Sequence, residues 1–384
     1  MHQLPAHSWV EVSEQALLHN IRAHRRLIRP RVKLMAVVKS NAYGHGLDLV
    51  ARVAEKSREV DWLGVASLSE AIALRRSDIY LPILILSYFR PFIKEDIKFA
   101  IKNHISFVVY ELEQIRVLEK IARQVGKPAL VHLKLETGMA RLGLFPKEAK
   151  WFLNRILKSP HLKLEGIASH FATAEAKTQT FLNKQLANYK NFINSVSTKL
   201  PPNILQHIAC SAAITAAPQS HFGLVRLGIA LYGLWPSLEN RQMVQKKYPN
   251  FKLMPALTWK TQVVEVQKLK TGTPVGYGCT YITKKPTVMA AIPVGYWEGY
   301  DRKLSNRGTA LIHGQHCPII GRICMNISMA DVTRVKNVRV GDEVVLIGRQ
   351  GKLEVTADDL ARKVGTISYE IVTRINSLLL RLLL

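Results

Sequence analysis

The chain has 384 residues, enough at roughly 150 per domain for two or three domains with real cores. Hydrophobic residues make up 48% and charged residues 21%, which excludes a disordered chain, and no apolar run approaches the roughly 18–20 residues that span a membrane. Fifty-four Lys and Arg against 28 acids leave +26, split as +14 over residues 1–240 and +12 over 241–384, so no basic arm concentrates the excess.

The opening MHQLPAHSWVEV lacks the basic-then-apolar build of a secretory leader, and a cytoplasmic protein is expected. Short apolar runs then alternate with amphipathic stretches. The strand candidates are LMAVV (34–38), LGVA (63–66), ILIL (83–86), FVV (107–109), LVHLKL (130–135), GIASH (166–170), HIA (207–209) and LVRL (224–227). Helical patterns lie between them at 47–57, 69–76, 111–125 and 146–158. This alternation predicts an α/β fold, a (β/α)8 barrel over residues 1–240. A doubly wound sheet would carry a G-x-G-x-x-G turn after its first strand, and none is present. From 241 to 384 short β-prone runs cut by Gly, Pro and Asn predict a C-terminal β-rich domain, with a helix at TADDLARKVG (356–365). The tail LLLRLLL is too short to span a membrane and is expected to pack on the body or fray. Cys210, Cys279, Cys317 and Cys324 form no C-x-x-C pair, which argues against a disulfide scaffold or a structural zinc site.

Barrel enzymes gather reactive groups at the C-terminal ends of their strands. Lys39 follows the first strand, Glu136 to Arg141 the fifth, His170 ends the sixth, Cys210-Ser211 follow the seventh, and the eighth holds Arg226 with Gly228 beyond. The mouth is therefore electropositive. Ser211 and the amides near Gly228 and Ile229 are candidate phosphate donors. Lys39 reads either as a lysine snorkelling to the rim or as a desolvated amine that forms a Schiff base with an aldehyde cofactor. A phosphate cradle opposite it favours pyridoxal phosphate. Arg226, inside an apolar strand, needs an acceptor such as a ring nitrogen or a phenol. His170 alone reads as a structural histidine, and Arg141 as a rim cation or a ligand contact.

Several motifs resemble the alanine racemase family. AVVKSNAYGHG (36–46) is similar to its cofactor-lysine signature. KLETGMARLG (134–143), SHFATAE (169–175), CSAA (210–213), VRLGIALYG (225–233), VGYGCTY (275–281), IPVGYWEGY (292–300), GRICMN (321–326) and TISYE (366–370) resemble its other motifs in order, from about Trp9 to Tyr369. The resemblance implies a barrel plus a β domain in a head-to-tail homodimer with shared active sites, interconverting L- and D-alanine as a peptidoglycan precursor. It implies that Lys39 holds pyridoxal phosphate, that Tyr43, Ser211, Gly228, Ile229 and Tyr369 cradle the phosphate, and that Arg226 faces the ring nitrogen. Arg141 would bond the cofactor's phenolic oxygen and the substrate carboxylate, and Lys134 corresponds to a lysine carbamylated in some members. Tyr277 and Met325 would reach in from the other subunit, Met325 through its amide to the substrate carboxylate, and Tyr296 would lie near the entrance.

Inverting a carbon needs one base on each face. The resemblance assigns Lys39 to the D-alanine proton and Tyr277 to the L-alanine proton. A tyrosine of ordinary acidity is a poor base at neutral pH, and a His170–Arg226 chain behind it would favour phenolate. Three positions depart from the family pattern: Asn326 where Asp is usual, Cys210 where Asn is usual, and Ala140 where Gly is usual. Other readings are a racemase of another small amino acid such as serine, and a barrel-type pyridoxal-phosphate decarboxylase. A nucleic-acid binder would need a basic arm, a groove-reading helix or a stacking motif, and the sequence offers none.

Overall fold

The structure is a computed structural model that describes residues 7–90 and 93–384; the first six residues of the expected non-leader segment lie outside it. The first strand, β1 (Ser8–Val12), belongs to a sheet completed only by the end of the chain. Eight parallel strands follow: β2 (Lys33–Val37), β3 (Trp62–Val65), β4 (Ile83–Ile85), β5 (Ile105–Val109), β6 (Ala129–Lys134), β7 (Leu162–Ala168), β8 (Leu205–His207) and β9 (Leu224–Leu227). They pair in the order β8-β7-β6-β5-β4-β3-β2-β9. Gly223 N to Gln206 O (3.1 Å) and Arg226 N to Ala209 O (3.1 Å) bridge the β8 and β9 segments. The expected (β/α)8 barrel is present.

The eight expected strands all form, within a few residues of their apolar runs. Central strands such as β3, β4 and β5 are buried along their whole length, as strands covered on both faces must be. Each large side chain so buried, Phe107 or Leu63 for example, contributes about 1.5–3 kcal/mol. Helices end where local chemistry ends them. Helix Leu68–Arg76 starts in a capping box between Ser67 and Glu70, and helix Leu112–Val125 stops at Gly126, whose φ of 73° suits glycine. Helices Glu14–Arg25, Lys94–Lys102 and Thr180–Val196 also form, without counterparts among the patterns read from the sequence.

The chain makes two compact units. One comprises Ala16–Ala42 and Leu47–Pro255 and holds the barrel. The other comprises Ala256–Leu384, the chain up to Gln15, and the short segment Tyr43–Gly46. The second unit contains β10 (Leu257–Gln262), β11 (Glu265–Leu269), β12 (Pro274–Val275), β13 (Tyr281–Ile282), β14 (Thr287–Ile292), β15 (Thr309–Ile312), β16 (Gln315–Pro318), β17 (Ser328–Asp331), β18 (Glu343–Gln350), β19 (Leu353–Val355) and β20 (Leu380–Leu383). Its main sheet runs β16-β15-β18-β10-β1-β20, with β19 on β18, beside a three-stranded β11-β14-β17 sheet and a β12-β13 hairpin. The leucine-rich tail thus forms β20, parallel to β1. Trp259, nearly fully buried, packs edge-on to Tyr300 at 6.0 Å in this unit's core. Among the described residues no helix is long and apolar enough to cross a membrane.

One buried histidine makes stability depend on pH. Helix Glu14–Arg25 buries His24, whose Nδ1 donates to Asn20 O at 2.8 Å and whose ring meets Phe251 edge-on. Burial pushes its pKa down to about 4. The unfolded chain therefore binds the proton below about pH 6.5 while the folded chain refuses it until about pH 4, so stability falls as pH drops through that window. The shift is worth roughly 3 kcal/mol. His24→Gln should give a shallower decline of Tm between about pH 6.5 and 4, and a slope identical to that of the parent chain would refute this origin.

Candidate active site

The barrel mouth collects Lys39, Lys134, Arg141, His170, Ser211, Arg226, Gly228 and Ile229 in one unit. Tyr43, Tyr277, Tyr296, Met325 and Tyr369 belong to the other.

Lys39 stands just past β2, half-buried. Burial lowers its pKa first, and the guanidiniums of Arg141 and Arg226 lower it further, with Glu70 opposing. An amine so placed is a better nucleophile than a free lysine. The backbone beyond it is unusual: Ser40, Asn41, Ala42 and Tyr43 all have φ between 52° and 55°. A left-handed turn costs roughly 1–2 kcal/mol per residue, so something must hold it. Ala42 N bonds Val38 O at 2.8 Å, Asn41 Oδ1 accepts Leu47 N at 2.8 Å, and Glu70 Oε1 accepts Ser40 N at 2.5 Å. Glu70 also accepts Ala66 N with its other oxygen. One carboxylate therefore caps a helix and secures the lysine loop.

Arg226 is the centre of the barrel's polar network and is 5% exposed. Its Nη1 donates to His207 Nδ1 at 2.7 Å, and its Nη2 donates to Ser169 O at 2.8 Å, His170 Nδ1 at 3.0 Å and Ile208 O at 3.0 Å. Burial pulls its pKa down to about 10, so it stays cationic at neutral pH. Burial first, then Arg226, holds His170 and His207 well below the ordinary histidine value. The tautomers follow from donor logic. His170 Nδ1 and His207 Nδ1 accept from the guanidinium, so each ring carries its proton on Nε2. His207 Nε2 then donates to His132 Nδ1 at 2.9 Å. Gly166 makes room for this pair, since a Cβ there would sit 2.2 Å from His132 Nδ1. Arg226 Nε has no acceptor among the described residues.

The loop of Arg141 is built on Glu136. Its Oε1 accepts the amides of Gly138 and, at 2.6 Å, Met139. Burial raises the Glu136 pKa, but bonds from the amides of residues 138–141 outweigh it and hold the carboxyl below its usual value. Ala140, in the usual glycine position, adopts φ of 52°, which explains the preference for glycine there. Lys134, beside this loop, has its amine pushed well below the ordinary lysine value by burial, then by Arg226 and Arg141. Helix Thr180–Val196 braces the loops after β6 and β7. Gln185 bonds His170 O and Ala172 N, Asn188 bonds Thr137 O, and Tyr189 donates to Ile167 O.

Ser211 opens helix Ser211–Ala216 and is buried. Its Oγ accepts Gly228 N at 2.8 Å and Ala230 N at 3.5 Å, leaving its own O–H to give. Cys210 precedes it in extended backbone, and burial raises its thiol pKa.

In the second unit Tyr43 and Tyr369 lie 6.1 Å apart between ring centres. Gly44 abuts Val372 so closely that a Cβ would lie 2.0 Å from Val372 O. Tyr277 is 73% exposed in the turn Tyr277–Cys279, flanked by Gly276 and Gly278 at positive φ. Tyr296, Trp297 and Met325 are also exposed.

Sequence reading missed Glu70, His132 and His207 as site residues, and it placed Glu136 at the mouth without a role. Only the strand positions of the two histidines, facing inward beside Lys134 and Arg226, carried a signal for them.

Residues 12–236 match the family described as "Alanine racemase, N-terminal domain", and residues 256–383 match "Alanine racemase, C-terminal domain". An alanine racemase of Syntrophobacter fumaroxidans is 42% identical over 366 residues, covering 95% of this chain and 94% of its own. The solved alanine racemase of Clostridium difficile 630 superposes with a TM-score of 0.92 at 33% identity, covering 100% of this chain and 97% of that one. A histidine racemase of Leuconostoc mesenteroides reaches a TM-score of 0.88 at 27% identity over 100% of both chains, so likeness of fold does not by itself name the amino acid. The matches run through both domains and nearly the whole length, and the chain belongs to the alanine racemase family.

Proposed function

We propose that this chain interconverts L- and D-alanine by two-base proton transfer with pyridoxal phosphate at the barrel mouth, supplying D-alanine for peptidoglycan in the cytoplasm. The observation that carries this reading is the pairing, at the barrel mouth, of an amine of lowered pKa at the end of β2 with a buried guanidinium that occupies His170 Nδ1.

The donor set fits pyridoxal phosphate. Lys39 supplies an amine for its aldehyde, Ser211 a hydroxyl for its phosphate, with the Ile229 amide beside it, and Arg226 Nε a donor for its ring nitrogen. Tyr43, Gly228 and Tyr369 would complete the phosphate cradle, and Arg141 would hold the phenolic oxygen and the substrate carboxylate. When bound, the cofactor supplies a conjugated ring that acidifies the substrate Cα–H.

The chain's own groups divide the remaining work. Lys39 would serve as the base on one face, and Tyr277 from a second subunit on the other. Arg226 occupies His170 Nδ1, which leaves Nε2–H as a donor able to steady a phenolate. A guanidinium donates a hydrogen bond yet keeps its proton, so Arg226 would leave the ring nitrogen unprotonated and disfavour transamination. Tyr277, Trp297 and Met325 expose apolar surface on the second unit, which supports a homodimer contact bringing Tyr277 and the Met325 amide to a partner's mouth, with Tyr296 near the entrance.

Polarimetry of purified, yellow protein with L-alanine should show rotation decaying to zero at constant total alanine. Carbon dioxide release would favour a decarboxylase, and faster loss of rotation with L-serine would move the substrate assignment.

A further inference from the structure

Glu298 is a buried carboxylate, 9% exposed, and no cation pairs with it among the described residues. Its two oxygens are met by neutral donors instead. Oε2 accepts Gly295 N at 2.7 Å, and Oε1 accepts Asn326 Nδ2 at 2.7 Å. It thereby ties the segment 293–299, which carries Tyr296, to the segment 321–327, which carries Met325. Backbone bonds run alongside: Tyr296 N donates to Cys324 O at 3.1 Å and Trp297 N to Met325 O at 2.9 Å. The approach is so close that a Cβ on Gly295 would lie 2.1 Å from Cys324 O.

The direction of one amide follows. Cys324 C=O and Met325 N–H share a planar trans peptide and point opposite ways. Pinning the carbonyl on Tyr296 N therefore aims the Met325 N–H away from the 293–299 segment. We propose that Glu298 and Asn326 are a positioning pair that sets this amide for the substrate carboxylate, and that residue 326 must be an amide because residue 298 is a carboxylate. The inference rests on the substrate role given to Met325 above. It also accounts for the departure at Asn326: an aspartate there would set a second carboxylate 2.7 Å from the first, and the two would have to share a proton.

The test is a swap on the holoenzyme. Asn326→Asp should raise KM for alanine about tenfold at neutral pH with kcat nearly unchanged, and the rise should shrink on acidification as the shared proton binds. Combining it with Glu298→Gln restores both bonds with donor and acceptor exchanged: the introduced glutamine amide donates to the introduced aspartate, while the glutamine oxygen still accepts Gly295 N. The double variant should return KM to near the parent value and lose the pH dependence. Hydrogen exchange of the peptide holding Tyr296 and Trp297 gives a readout independent of activity. It should quicken in Asn326→Asp and recover in the double variant. Unchanged exchange in the single variant, or a double variant no better than the single, would overturn the pair. Quickened and rescued exchange with KM unmoved would uphold the clamp but remove Met325 from the substrate site.

Discussion

Borohydride treatment of the yellow holoenzyme should fix the cofactor on the peptide containing Lys39 and abolish racemisation, and Lys39→Ala should lower kcat at least about a thousandfold. The competitor to exclude is Lys134, whose amine is also held well below its ordinary pKa by burial. The two differ in position. Lys39 stands beyond the end of β2 on a loop held by Glu70, whereas Lys134 closes β6 beside Arg141; the same two guanidiniums lower the pKa of both amines. Lys33, at the opposite end of β2, is exposed and lies away from the barrel mouth. Label on Lys134 or Lys33 would sink the assignment.

Mixing two dead enzymes should restore activity. Lys39→Ala and Tyr277→Phe each remove one of the two proposed bases, so each variant alone should be nearly inactive. Refolded together in equal amounts, they should pair at random, and about half the dimers should be mixed. If every site draws Lys39 from one chain and Tyr277 from the other, each mixed dimer holds one site with both defects and one with neither. The mixture should then recover about a quarter of parental activity, provided the sites act independently. Recovery indistinguishable from zero would place both bases on one chain. Tyr277, 73% exposed, is accessible to a second chain.

The barrel was legible in the sequence because each of its strands is a compact apolar run, and the first chemistry-bearing positions follow directly at the strand ends. Helix Thr180–Val196 was not, because its inward face includes Gln185 and Tyr189, polar groups that brace loops and dilute the apolar period. The left-handed turn at Ser40–Tyr43 escaped notice because none of its four residues is glycine, the usual marker of such backbone. His132 and His207 are 75 residues apart, and Glu298 and Asn326 are 28 apart. Pairings of that kind are created by strand register and loop packing, and no local pattern announces them. The family resemblance reached Lys39, Arg226 and His170 by motif, but not Glu70, which holds the lysine loop, or His207, which accepts from Arg226.

The position of β1 bears on how the protein is made. This strand emerges from the ribosome before the other strands described, yet its antiparallel partner β10 lies about 250 residues later and its parallel partner β20 later still. The barrel strands can all pair while β1 still presents open edges. During synthesis that strand is an adhesive segment awaiting its mates, and a nascent chain released before residue 257 should aggregate through it. For the same reason, a fragment beginning at residue 256 would lack the strand between β10 and β20, leaving β20 with nothing to pair with. The C-terminal domain should become a stable separate product only when residues 8–12 are grafted back onto it, for instance by circular permutation that joins them through a linker after β20.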